Sequence, residues 1–188
     1  DAATTRALLA AGADANTSLP EGETTLMTAA KAGSPDVVRE LLTGGAEGLS
    51  LAELAQANTA PAVAPASSGY GAVINPSTPS NRAYVNAREG WYGQTALMWA
   101  ADEGHAEIVR LLIEAGANVD DHSRQIDIPN PYQERLDGSF VSPDIPKGGL
   151  TALHFAAREG RLDAALALID PAANLYAVVQ EGTNALIY

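Results

Sequence analysis

The sequence predicts an all-α solenoid of paired antiparallel helices in a single domain, and three observations predict it. Gly12, Gly45, Gly116 and Ala172 close similar segments and lie 33, 71 and 56 residues apart. Leu26, Leu97, Leu153 and Leu186 lie 71, 56 and 33 apart, so a second set of landmarks gives the same period of 33 with the same two excesses, 38 and 23. Each period also carries two short apolar stripes at helical spacing. A fixed period of this size marks stacked supersecondary units, each burying its apolar face on its neighbours. Without the excesses the 188 residues shrink to 127, just under four periods.

Each unit can be justified in order. Thr24, Thr95 and Thr151 open a first helix, where a hydroxyl can accept from orphan backbone N–H groups. A Leu-x-x-Ala-Ala run follows, and its small alanines let a partner helix approach closely. Gly33, Gly104 and Gly160 end that helix, where positive φ suits glycine. Ser34-Pro35-Asp36 starts a second helix with an N-cap residue, a proline at N1 and an acid against the positive dipole end. Val37, Val38, Leu41 and Leu42 form its buried stripe, and Ile108, Val109, Leu112 and Ile113 repeat it. Pro171 and Ala172 replace the usual ending after Leu162–Ile169, so that helix should stop early. Asn184 replaces the capping threonine in the last unit.

The segments TTLMTAAKAGSPDVVRELLTGGA, QTALMWAADEGHAEIVRLLIEAGANV and LTALHFAAREGRLDAALALIDPAANL resemble ankyrin repeats. The family pattern is T-P-L-H-x-A-A-x-x-G-H, a second helix, then L-L-x-x-G-A-D-V-N. Half a unit opens the chain and EGTNALIY begins a fifth. Thr25, Ala96 and Ala152 stand where the family has proline. The resemblance implies β-hairpin fingers between helix pairs, with a concave face and finger edge that bind protein partners. It implies structural roles for His154, as the histidine of T-P-L-H, and for His105 in the Gly-His turn. Both chain ends fall in mid-repeat, so the chain is expected to be a piece of a longer protein.

The excess residues form two insertions, at about 48–84 and 121–147, both at a finger position, so two enlarged fingers should share one edge. The first is rich in Pro, Ala and Ser and reads either as a flexible spacer or as an arm anchored by Tyr70, Val73, Ile74 and Tyr84. The second contains an Asp-Gly pair between extended segments, a hairpin signal, with strands expected near 133–136 and 139–142. With Tyr132 and Phe140 among its apolar side chains, it reads as a lid on its own fingers, a partner-contact element, or both. Deleting 48–84 and joining Ala46 to Val85 through Asp should leave the solenoid folded, because long loops add little closure entropy.

Composition narrows the function. Eleven basic against 23 acidic side chains give a net charge of −12, which argues against nucleic acid as a partner. No apolar run is long enough to span a membrane. Cysteine is absent, so disulfides, thiolate nucleophiles and cysteine zinc sites are excluded. No phosphate loop, nucleophile elbow or H-E-x-x-H occurs, and the expectation is a non-enzyme without cofactor or metal. His122 with Asp120, Asp121 and Asp127 reads as a solvated acidic loop rather than a cation site. Asn16-Thr17-Ser18 fits a glycosylation acceptor, a pattern with meaning only on a secretory route. Two lysines and abundant alanine look like a high-GC bacterium, and similar bacterial ankyrin proteins point to the periplasm or exterior.

Trp99 is expected in the core between paired helices. Trp91 and Tyr92 sit on an exposed turn one residue longer than the family turn, open to partner binding or to packing on an insertion. Lys31, Asp102, Glu103, Arg158 and Glu159 should line the concave face. The expected function is a non-catalytic scaffold for a protein partner, with a structural or accessory subunit of a larger assembly, with or without an enzyme in it, as the alternative. Loss of both Trp91 and Tyr92 should weaken binding more than loss of Lys31.

Overall fold

The computed structural model describes residues 1–45, 82–128 and 145–169. Its helices are α1 (Ala2–Ala10), α2 (Thr25–Lys31), α3 (Pro35–Thr43), α4 (Ala96–Glu103), α5 (Ala106–Glu114), α6 (Ala152–Arg158) and α7 (Leu162–Ile169). The pairs α2–α3, α4–α5 and α6–α7 stack as an α-helical repeat solenoid, with α2, α4 and α6 in one row and α1, α3, α5 and α7 in the other. Two short strands, β1 (Ile126–Ile128) and β2 (Ile145–Lys147), pair antiparallel with Ile126 opposite Lys147.

The short first helices owe their boundaries to their caps. Thr24 accepts from Met27 N and Thr95 from Met98 N. At Thr151 the backbone N–H donates to His154 Nδ1 at 3.2 Å, so the buried histidine ring takes part in the cap. Ser34 stands at the N-cap of α3 with Pro35 and Asp36 behind it, but its side chain makes no capping bond. Gly44 and Gly104 end α3 and α4 in left-handed conformation, with φ of 68° and 83°.

The core is a continuous layer between the two rows. Leu26, Met27, Val38, Leu97, Met98, Ile108, Val109, Leu112 and Leu168 are fully buried. Ala30, Ala100, Ala101 and Ala156 are buried where helices approach, so the alanine-rich composition serves close packing. His105 stands at the N-cap position of α5 without a side-chain capping bond and places its Nε2 3.1 Å from the Lys31 carbonyl, joining consecutive repeats. This approach explains Gly33. Its φ is +68°, and a Cβ there would lie 2.6 Å from His105 Cε1.

The connections between helix pairs, the fingers, are less regular than β-hairpins. The first holds one antiparallel bridge, Ser18 to Thr24. The second, from Ala83 to Gln94, holds no strand; one backbone bond crosses its turn, from Glu89 N to the Gln94 carbonyl at 3.0 Å, and the Glu89 side chain takes the N–H groups of Trp91, Tyr92 and Gln94. The third contains the β1–β2 ladder. The strands expected near 133–136 and 139–142, the anchors Tyr70, Val73, Ile74, Tyr132 and Phe140, and the expectations for Pro171, Ala172 and Asn184 all lie outside the described residues.

Polar side chains fasten each finger to the next. Asn16 Nδ2 donates to the Arg82 carbonyl at 2.8 Å, and its Oδ1 accepts from Tyr84 N at 2.7 Å. One repeat later Asn86 Nδ2 donates to the Gly116 carbonyl at 3.1 Å and its Oδ1 accepts from Asn118 N at 2.9 Å. Asn16 is thus a buried bridge, with its amide nitrogen engaged where the acceptor triplet would carry a glycan. The Ala83 N–H reaches the Leu41 carbonyl at 2.9 Å, the same bond that Ala13 makes to Leu8 and Ala117 to Leu112. Ala83 therefore stands in register with Ala13 and Ala117, two residues ahead of Val85.

Candidate functional site

The seven residues from Arg88 to Gln94 form a locked turn that leads into α4. The buried Glu89 carboxylate accepts from three backbone donors: Trp91 N at 2.6 Å, Tyr92 N at 2.9 Å and Gln94 N at 2.8 Å. Charge-assisted bonds of this kind are the strong ones. The turn is also tied to both neighbours. Gly90 N donates to the Glu21 carbonyl at 2.6 Å on one side. On the other, the Arg124 guanidinium donates to the Gly90 carbonyl at 2.7 Å and Arg88 is paired with Asp121 at 3.0 Å. With its backbone held this way, the turn presents Trp91 and Tyr92 52% and 54% exposed.

Both aromatics border a cleft of about 380 Å³ that continues over α2 and α4. Lys31, Trp99, Asp102 and Glu103 form its helix wall, and Glu21, Glu23, Glu89 and Gln94 line its finger side. Finger edge and concave face are therefore one surface here, and Lys31 stands in the same groove as Trp91 rather than on a separate one. Trp99 corrects the expectation from sequence. It is only partly buried, its indole N–H donates to Gln94 Oε1 at 2.7 Å, and Lys31 Nζ lies over its ring at 5.1 Å from the centroid.

The other concave-face residues adjoin this groove. Arg158 bridges repeats by pairing with Asp102 at 3.0 Å, and it also contacts Glu159 at 2.9 Å. Burial raises the Asp102 carboxyl above its ordinary value; the neighbouring Arg158 opposes this, while Glu159 and Glu103 add to it. Tyr84 lies elsewhere: it packs, partly buried, against the hydrophobic core. Tyr70, Tyr132 and Phe140 lie outside the described residues. Asp121 is engaged by Arg88, and among the described residues no three acidic or histidine side chains gather in a cation-binding group. No helix among the described residues is long and apolar enough to cross a membrane.

Sequence reasoning missed Glu89, Gln94, Glu21, Glu23 and the groove position of Trp99. Position alone gave no signal for Trp99, which occupies the x of T-P-L-H-x-A-A: that place is held by exposed Thr28 in the preceding unit and by buried Phe155 in the next. Nothing pointed to Glu89, whose role depends on three N–H groups converging after the turn forms.

A family model described as ankyrin repeats in three copies matches residues 1–123 and again 81–178. Such repeats are generally protein–protein interaction modules, and the family is typically non-catalytic. With the matched residues spanning most of the sequence and the helix pairs stacked in the expected order, the chain belongs to the ankyrin-repeat family.

Proposed function

We propose that this domain is a non-catalytic scaffold that binds a protein partner in the groove where the finger edge meets the concave face. The observation that carries this reading is the locked turn. Glu89 fixes the backbone of Trp91 and Tyr92 through three hydrogen bonds while both side chains stay more than half exposed. Large aromatics held rigidly at a groove lose little conformational freedom on binding, and such residues dominate interface energetics.

The test is quantitative capture of the native partner, with its contact site mapped by cross-linking. Trp91→Ala with Tyr92→Ala should weaken capture at least about tenfold, since a hot-spot aromatic contributes over ~2 kcal/mol and ~1.4 kcal/mol is one decade. Arg110→Ala, exposed on α5, is the control and should leave capture unchanged. Normal capture by the double variant would refute the reading.

A further inference from the structure

The chemistry of the groove is more specific than a hydrophobic contact. Five carboxylates and one ammonium line it. Three of the carboxylates are already engaged: Glu89 by backbone N–H groups, Asp102 by Arg158, and Glu23 by the Thr28 hydroxyl at 3.0 Å. Glu21 and Glu103 make no ion pair among the described residues. A partly enclosed cleft with unbalanced negative charge concentrates its field and attracts cations. A neutral apolar side chain entering here would strip water from carboxylates with no compensation, and an anion would be repelled.

The second observation is Lys31. Its ammonium lies 5.1 Å from the Trp99 centroid, within the range of cation–π attraction, and the indole is held in place by its bond to Gln94. The ring face thus already holds a cation from this chain's own surface. Lys31 is exposed, so its head group can leave without unfolding α2. An arginine makes the better occupant, because a planar guanidinium stacks on an indole and can meet a carboxylate with two donors at once.

We propose that the groove receives an arginine side chain from a basic segment of the protein partner, which stacks on Trp99 in place of Lys31 and is neutralised by Glu21 and Glu103. This rests on the reading of the groove as a protein-binding surface and names what that surface selects. Lys31 then acts as an internal competitor, so removing it should tighten binding rather than weaken it.

The test uses a short glycine–serine peptide carrying two arginines, and a twin with citrulline in their places, which keeps the shape and removes the charge. Binding is read on the two tryptophan indole N–H resonances, assigned with Trp91→Phe. The arginine peptide should shift the Trp99 resonance and bind at least about tenfold more tightly than the citrulline peptide. Lys31→Ala should bind it about threefold more tightly. Glu21→Gln with Glu103→Gln should weaken it about tenfold, whereas Asp36→Asn with Glu107→Gln, the same charge change on α3 and α5, should leave it unchanged. Equal binding of the two peptides, binding of neither, weaker binding by Lys31→Ala, or equal loss with the two charge pairs would overturn the proposal. If the partner is still lost on removing Trp91 and Tyr92 while charge makes no difference, the scaffold reading stands and the arginine specificity falls. If capture survives that removal while the arginine peptide binds as described, the scaffold reading falls instead.

Discussion

The helix seam joins consecutive repeats mainly through apolar side chains, with Met27, Met98 and their alanine neighbours pressed between α2, α4 and α6, and His105 and Arg158 add polar links at its margin. The finger seam joins the same repeats through polar bonds: Asn16 to Arg82 and Tyr84, Asn86 to Gly116 and Asn118, Arg124 to Gly90. Apolar packing is set by volume and repeats wherever the period repeats. Polar bonding is set by direction, so each finger needs its own partners. The first seam makes the domain stable, and the second fixes the turn beside the groove.

Three variants would sharpen or break this comparison. The largest effect belongs to the helix seam. Leu112→Ala should cost about 2–5 kcal/mol, the range for emptying a fully buried leucine site, read as a fall in the urea midpoint at unchanged slope. A cost below ~1 kcal/mol would mean that the helix layer is not the source of stability.

The finger seam should respond locally. In Glu89→Gln one oxygen can still serve Tyr92 and Gln94, but an amide NH₂ faces the Trp91 N–H. The expected loss is about 1–2 kcal/mol, with faster amide exchange at Trp91 and Tyr92 and unchanged protection in α4. Uniformly faster exchange throughout the domain would erase the distinction between the seams.

The smallest effect concerns Arg6 and Glu40, a charged pair between α1 and α3. Arg6 holds the Glu40 carboxyl below its ordinary value of 4.5, mainly through its side-chain hydrogen bond, while burial works against it. A carboxyl with a depressed folded value stabilises fully above its unfolded value and loses that stabilisation as pH falls through the folded one. Wild-type stability should therefore drop below about pH 4.5, and Arg6→Gln should lower stability near neutrality and flatten that decline, so that the two curves converge at acid pH. Urea midpoints from pH 3 to 7 decide it, with parallel curves counting against the pair. Arg6 is half exposed, so the difference should be modest.

The helix seam was legible in the sequence because its rule is periodic: Leu26, Leu97 and Leu153 recur in step, and each is buried. Thr24 and Thr95 were legible because their cap bonds reach only three residues along the chain. The finger seam was not legible. Asn16 finds its partners 66 and 68 residues away, and no local pattern encodes that distance. Trp91 and Tyr92 were visible as large aromatics on a turn, but Glu89 looked like any surface acid. Trp99 was assigned to the core by its slot between paired helices, whereas its indole meets Lys31 and Gln94 at the groove, contacts that the slot alone does not encode.

Gly45 and Ala83 donate to neighbouring carbonyls at the end of α3, those of Glu40 and Leu41. These two described residues, which flank the stretch 46–82, therefore lie within one helical turn of each other. Helix pairs joined at such a point require only that the two ends of the connection meet. Closure entropy rises by only ~0.6 kcal/mol for each doubling of a flexible loop. A graft between Gly45 and Ala83, such as a reporter or a second binding module, should therefore leave the stack folded, and helical circular dichroism of the graft checks it.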